Sequence, residues 1–246
     1  RSIFRGNGFK NLVLKKIISF QYRIACSFSR KIIVQNKDDL EELVLNNIER
    51  NEKFEIVNGS GVNLEIFCVK PLPDETCFLY IGRLIRDKGV LEYLEACKQV
   101  KMTNPKIRCI LVGPFDTNPS SLKEKDLKPY IDQNIIEYFG EQQDVRPYIE
   151  MCNIFVLPSY HEGTPKTVLE SMAMGRAIIT SDAPGCRETV IDGYNGYLVP
   201  VKDVASLSEK MIFCINNKDI VERFGRNSYL IAKEKYDINI INKRIL

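Results

Sequence analysis

The sequence predicts an α/β protein built on a doubly wound parallel sheet. Two observations carry this. From residue 76 onward the β-like runs are apolar from end to end, as in TCFLYIG and NIFVLPS, and strands covered on both faces read this way, whereas half-exposed strands alternate. Each run is followed by a stretch with helical spacing, the alternation expected of a sheet with helices on both faces. A length of 246 residues accommodates one large core, or one domain plus part of another.

The elements follow in order. Residues 1–30 read as helical, and KIIVQN (31–36) as a short strand. Asp38 is placed to cap the helix DDLEELVLNN. EIVNGSGVN (55–63) is a strand running into a glycine-rich turn, and PLPDE (71–75), with two prolines, reads as a linker. Then come strand 76–82, the amphipathic helix GVLEYLEACKQVK, strand 106–113, a polar helix over 120–133 and strand 134–140. The short helix VRPYIEMC, strand 153–159, the helix TPKTVLESMAMG and strand 176–182 continue the pattern. GCRETVID reads as a short helix, GYLVP as a strand, and VASLSEKMIFCINN and 218–235 as the last helices. The domain reading is therefore 1–58, an interdomain linker 59–75, the doubly wound domain 76–235 and a tail 236–246.

Composition narrows the function classes. A net charge of +3 argues against nucleic acid as partner. The balance is uneven, because Arg1, Arg5, Lys10, Lys15, Lys16, Arg23, Arg30 and Lys31 precede any acidic residue. That segment reads either as a surface helix with a solvated basic face or as a helix lying near anionic lipid headgroups. The eight cysteines form no CxxC and several fall inside apolar runs, the pattern of buried, reduced thiols in a cytoplasmic protein. No apolar run reaches membrane-spanning length and no signal peptide is visible. The start at Arg1 without methionine reads as a fragment or processed chain.

Doubly wound sheets bind ligands beyond the carboxyl ends of their strands. GRLIRDKG (82–89) stands at one such end. Gly82 permits the turn there, and Arg83, Arg86 and Lys88 set cations beside a helix start, which suits a phosphate. It is neither GxGxxG nor a P-loop, and ordinary surface charge is the equal alternative. HEGTPKTVLE (161–170) stands at another strand end, with Thr164 as N-cap, Pro165 at N1 and Gly175 at the C-terminus of the helix. Glu170 lies six residues past Thr164, about 9 Å along the axis. Glu162 and Glu170 are thus too far apart to share one bond, and they suit the two ends of an extended ligand. The N–H groups near Lys166, Thr167 and Val168 would lie between them. A capped helix with two incidental glutamates is the plainer alternative. His161, the sole histidine, has no acidic or nucleophilic partner near it in sequence and reads as a pocket-lining residue.

The run Glu162-x7-Glu170, preceded by FVLPSYHEG and followed by SMAMGRAIITSDAPGCRETV, resembles the nucleotide-sugar site of the GT4 family of retaining glycosyltransferases. GSGVNLEIF (59–67) and GRLIRDKG resemble its other landmarks, and the likeness covers about residues 30–235. It implies a GT-B fold, two Rossmann-like domains, of which this chain would hold the donor domain and an incomplete acceptor-domain remnant. It implies that Gly82, Arg83 and Lys88 meet the donor diphosphate, and that Glu162, with Gly163 and Thr164, meets the hexose. Thr167 and Val168 would offer N–H groups to phosphate, Glu170 would take the ribose, and Gly140, Asp144 and Val145 would hold the base. Catalysis would fall to Arg83, Lys88 and Glu162, with no metal or other cofactor. The wording most resembles enzymes of capsule, O-antigen and lipopolysaccharide assembly. Such enzymes move a hexose or N-acetylhexosamine from a UDP-sugar to a polyprenyl-diphosphate-linked or growing saccharide, in the cytoplasm or peripherally at the inner membrane face. The competing readings are a nucleotide-sugar-binding module without catalysis and a GT-B epimerase of UDP-sugars.

Overall fold

A computed structural model describes residues 9–49 and 51–245. Arg1, Arg5 and the Lys10 side chain of the basic segment lie outside the described residues. The chain divides into two compact units, one ending at Asn58 and one beginning at Gly59.

The first unit holds α1 (Phe9–Ser27), β1 (Ile32–Val34), α2 (Lys37–Leu45) and β2 (Phe54–Ile56). β1 and β2 pair in parallel, Ile32 opposite Phe54 and Val34 opposite Ile56. The cap of α2 is Asn36, not Asp38: its extended backbone lets the side chain accept from the Asp39 N–H at 2.8 Å. Asp38 instead sits inside the first turn, where a carboxylate favours the positive end of the macrodipole. Arg23 donates to the carbonyls of Asn47 and Asn46 at 2.8 and 3.1 Å, capping the far end of α2. This cation of the basic segment, exposed on α1, thus ties α1 to the end of α2. No helix among the described residues is long and apolar enough to cross a membrane.

The second unit carries six parallel strands in the order β5-β4-β3-β6-β7-β8: β3 (Cys77–Ile81), β4 (Arg108–Val112), β5 (Glu137–Tyr138), β6 (Ile154–Leu157), β7 (Ala177–Ser181) and β8 (Gly196–Val199). β3, β6 and β7 are buried along their whole length, as their unbroken apolar sequences predict. The helices are α3 (Val90–Thr103), α4 (Glu124–Asp132), α5 (Arg146–Glu150), α6 (Lys166–Ala173), α7 (Val204–Asn216), α8 (Lys218–Lys235) and α9 (Ile238–Ile245). The chain moves outward through β4 and β5, then returns past β3 and moves the other way through β7 and β8. Right-handed crossovers in opposite directions put helices on both faces, with α3 packed on α7 and α6 on α8.

Four expectations change. The tail is the helix α9, docked by Ile241, which is fully buried. The segment from residue 59 belongs to this unit: the Val62 N–H donates to the Tyr236 carbonyl at 2.8 Å and the Ile238 N–H to the Val62 carbonyl at 3.0 Å. β5 spans two residues rather than seven, because Asn134 takes a left-handed turn (φ 53°) and Ile135 and Ile136 are buried without joining the ladder. GCRETVID gives only a 3-10 turn at Arg187–Thr189, after Gly185 has turned left-handed at φ 80°. All eight cysteines are free and only Cys68 is exposed.

A two-point ion pair closes the β4–β5 edge: Arg108 Nε and Nη2 meet the Glu137 oxygens at 2.8 and 2.7 Å. The Arg108 guanidinium holds the Glu137 carboxyl below its ordinary 4.5. The clasp's stabilisation is therefore full above about pH 4.5 and is lost as pH falls through the lowered folded value. Both side chains are more than a third exposed, so the effect is about 0.5–1 kcal/mol. Chemical denaturation of Glu137→Gln is expected to show that deficit at pH 7 and to converge on the unmodified chain as pH falls through the lowered folded value.

Candidate functional site

β3 and β6 are neighbours although the chain leaves them in opposite directions. Their following loops therefore open side by side, at the switch point where such sheets bind ligands. The two loops are joined: the Tyr160 N–H donates to the Asp87 carbonyl at 2.9 Å and Ser159 Oγ to the same carbonyl at 3.2 Å. Gly89 makes the approach possible, since a Cβ there would lie 2.0 Å from the Pro158 carbonyl oxygen.

This closeness brings Lys88 onto Glu162, Nζ lying 2.5 Å from each carboxylate oxygen. Glu162 is 9% exposed. Its backbone is fixed from the β7 side, where its N–H donates to the Pro184 carbonyl at 2.8 Å. Arg83, at the end of β3, pairs through Nη1 with Asp116 at 2.8 Å. The loop-bearing end of β6 is braced further by Tyr160, whose hydroxyl donates to Glu92 at 2.6 Å.

α6 starts at Lys166 with Pro165 in the cap position and no side-chain cap. Thr164 is therefore not the N-cap. Its side chain packs on Gly59 instead, so closely that a Cβ on Gly59 would lie 2.7 Å from the Thr164 Cβ. The Val168 N–H is not a free donor either, because it gives its hydrogen to the Pro165 carbonyl at 3.1 Å. That turn leaves the N–H groups of Lys166 and Thr167 at the helix start. Thr167 Oγ1 donates to the Ile81 carbonyl at 3.3 Å, tying α6 to the end of β3. Glu170, 5% exposed, lies one turn deeper with Lys166 Nζ at 3.7 Å, and burial raises its carboxyl above the ordinary range.

Not every expected residue gathers here. The Asp144 carboxylate is closed off by Arg146, with contacts of 2.9 and 2.7 Å, and that hydrogen bonding lowers its pKa to about 2. Asp144 lines a cavity with Glu65, Cys68, Lys70 and Met174, none of which belongs to the Lys88–Glu162 grouping. Gly140 is left-handed (φ 67°) and accepts the Gly113 N–H at 2.8 Å, and Val145 starts α5. His161 is half-buried, and its carbonyl accepts from Ser159 Oγ at 3.3 Å. The residues that sequence reasoning missed are Asp116, Tyr160 and Gly185. Only the turn-rich run FDTNPSS, dense in Asx and Ser, signals that a carboxylate could be mounted near Arg83.

The arrangement offers Lys88 on one nearly buried carboxylate and a helix start one turn from another, with the Arg83–Asp116 pair beyond the neighbouring strand end, which suits an anion flanked by hydroxyl-bearing groups. Comparison with known proteins agrees in kind. The chain is 29% identical over 259 residues to the N,N'-diacetylbacillosaminyl-diphospho-undecaprenol alpha-1,3-N-acetylgalactosaminyltransferase of Campylobacter jejuni, covering 100% of this chain and 66% of that protein. It is 24% identical over 247 residues to the capsular polysaccharide biosynthesis glycosyltransferase CapM of Staphylococcus aureus, covering 95% and 64%. The chain thus spans about two thirds of the length of these relatives. Among solved structures, Anabaena HepE in complex with UDP superposes with TM-score 0.80 at 20% identity, over 92% of this chain and 66% of that one. TarM gives TM-score 0.80 at 18% identity, over 94% and 45%. At such identities the likeness shows the fold. The family model described as "Glycosyl transferases group 1" matches residues 65–230, most of the second unit and more than half of the chain, and the chain therefore belongs to the group 1 glycosyl transferases.

Proposed function

We propose that the chain supplies the donor side of a retaining glycosyl transfer. It would bind a UDP-sugar whose hexose or N-acetylhexosamine passes to a lipid-linked or growing saccharide. The observation that carries the reading is the Lys88–Glu162 pair set beside the start of α6, with Glu170 one turn deeper. In this reading Glu162 accepts hydrogen bonds from the hexose hydroxyls. The N–H groups of Lys166 and Thr167 and the cations Arg83 and Lys88 receive the diphosphate. Glu170 accepts from the ribose hydroxyls, and the Gly140–Val145 loop meets the base through its backbone, because the Asp144 carboxylate is taken by Arg146. The negative charge that develops on the leaving diphosphate would be met by Arg83 and Lys88 in place of a metal ion.

The names of relatives and neighbours support this choice of substrates. The Campylobacter protein is named for transfer of N-acetylgalactosamine to an undecaprenol-linked saccharide, and HepE was solved with UDP and with UDP-glucose. Calorimetry with UDP tests the reading, run with and without EDTA. The unmodified chain is expected to bind equally in both. Glu170→Ala is expected to weaken binding about 10-fold, the worth of a hydrogen bond to a charged acceptor. Unchanged affinity in Glu170→Ala would remove the ribose assignment. Incubating this chain alone with a UDP-sugar separates a catalyst from a binding module, since a module binds UDP without turning over the sugar.

A further inference from the structure

We infer that Asp116 is a positioning residue that turns the open edge of Arg83 toward a diphosphate. The inference rests on the donor reading above. It comes from how this arginine is held compared with two others that are ion-paired in the same unit. Arg108 gives its Nε and Nη2 edge to Glu137, and Arg146 gives the same edge to Asp144. Those two guanidinium groups are closed by two-point pairs. Among the described residues Arg83 is held through Nη1 alone, at 2.8 Å from Asp116 Oδ2. The Nε–Nη2 edge, the one that matches two phosphate oxygens, is left open, and the side chain remains 56% exposed.

The carboxylate that holds Arg83 is itself mounted firmly. Asp116 Oδ1 accepts the Asn118 N–H at 2.8 Å, and the Asp116 N–H donates to Ser121 Oγ at 2.9 Å. The loop carrying it is zipped to the GRLIRDKG loop by three backbone bonds. The Leu84 N–H donates to the Pro114 carbonyl, the Arg86 N–H to the Ser120 carbonyl and the Leu122 N–H to the Leu84 carbonyl, at 3.0, 3.0 and 2.7 Å. The Asn118 N–H first, and Arg83 second, hold the Asp116 carboxyl below its ordinary range, so it stays charged at neutral pH. Asp116 is thus a fixed strut on the far side of the guanidinium. A mobile arginine would have to be ordered by the ligand, and the strut removes that cost before binding. The same carboxylate also subtracts positive charge from the site. Had competition for Arg83 been its role, a two-point pair like those at Arg108 and Arg146 would block the ligand more completely.

The test measures UDP, inorganic pyrophosphate and uridine affinities by calorimetry on the full chain. It compares the unmodified chain with Asp116→Asn, Asp116→Ala, Arg83→Gln and the Arg83→Gln/Asp116→Ala double variant. Both Asp116 variants are expected to bind UDP and pyrophosphate about 3- to 10-fold more weakly, with Asp116→Asn the milder because it keeps an acceptor for Arg83. Uridine, which has no phosphate, should bind all variants alike. The double variant should bind UDP no more weakly than Arg83→Gln alone, as required if Asp116 acts through Arg83. Tighter or unchanged UDP binding without Asp116, or losses that add in the double variant, would overturn the inference. So would a uridine loss equal to the UDP loss, which marks a general structural role. Failure of the unmodified chain to bind UDP would remove the donor reading and this inference with it, whereas UDP binding indifferent to Asp116 removes the inference alone.

Discussion

Lys88→Ala is expected to weaken UDP binding about 10- to 100-fold, the range for losing one charge-assisted contact to a phosphate. The same change is expected to lower stability by about 1–3 kcal/mol. The two effects have different origins and separate in a second variant. The stability loss arises because Lys88 Nζ sits on both oxygens of a carboxylate whose side chain is only 10% exposed, the lysine side chain being 23% exposed. Taking the cation away leaves that carboxylate short of its nearest counter-charge in a poorly solvated place. Full burial would make the cost larger, and the residual exposure moderates it. Removing both charges together, as in Lys88→Met/Glu162→Gln, restores most of the stability because no net charge is left behind. It does not restore binding if the lysine meets the diphosphate and the glutamate meets the sugar. Urea denaturation and UDP calorimetry on the two variants read these outcomes independently. Recovery of both quantities in the double variant would make the pair a structural clasp and withdraw it from the site.

How much of this was readable beforehand differs between fold and site, for a physical reason. A strand such as FLYI or IFVL shows its environment in its own sequence, because burial on both faces excludes polar residues at every position. Helix ends were less legible. The Asn36 cap and the Pro165 start of α6 depend on the φ and ψ of one residue, and several nearby residues were chemically able to serve. α9 reads as a tail in the sequence because its burial rests on one position, Ile241, against the Gly61–Val62 segment far away in sequence. Around α6, Glu162 and Glu170 can be paired from the sequence because only a short loop and the first turn of one helix separate them. Lys88–Glu162 and Arg83–Asp116 cannot, because the partners lie 74 and 33 residues apart and meet only through the strand order. The error over Val168 has the same root: whether its N–H is free is decided by the Pro165 carbonyl, which a cap at Thr164 would have placed differently.

Gly185→Ala is expected to cost about 2–4 kcal/mol and to depress UDP affinity together with stability. Gly185 is left-handed at φ 80°, and a Cβ there would lie 2.2 Å from the Glu162 carbonyl oxygen and 2.4 Å from that of Gly163. Both contacts are with main chain, so no side chain can swing aside to relieve them. Either the loop after β7 retreats or the Glu162–Gly163 peptide moves. The second course shifts the carboxylate from Lys88 and strains the Glu162 N–H bond to the Pro184 carbonyl. Gly193 provides the control. It has nearly the same backbone conformation, φ 72°, but a Cβ there would meet nothing within 4 Å. Gly193→Ala should therefore carry only the conformational cost of about 1 kcal/mol and leave UDP affinity unchanged. Thermal unfolding and calorimetry on the pair separate backbone conformation from the closeness of the two loops. Equal behaviour of the two variants would mean that the contact between Gly185 and the Glu162 loop is not what sets the carboxylate's place.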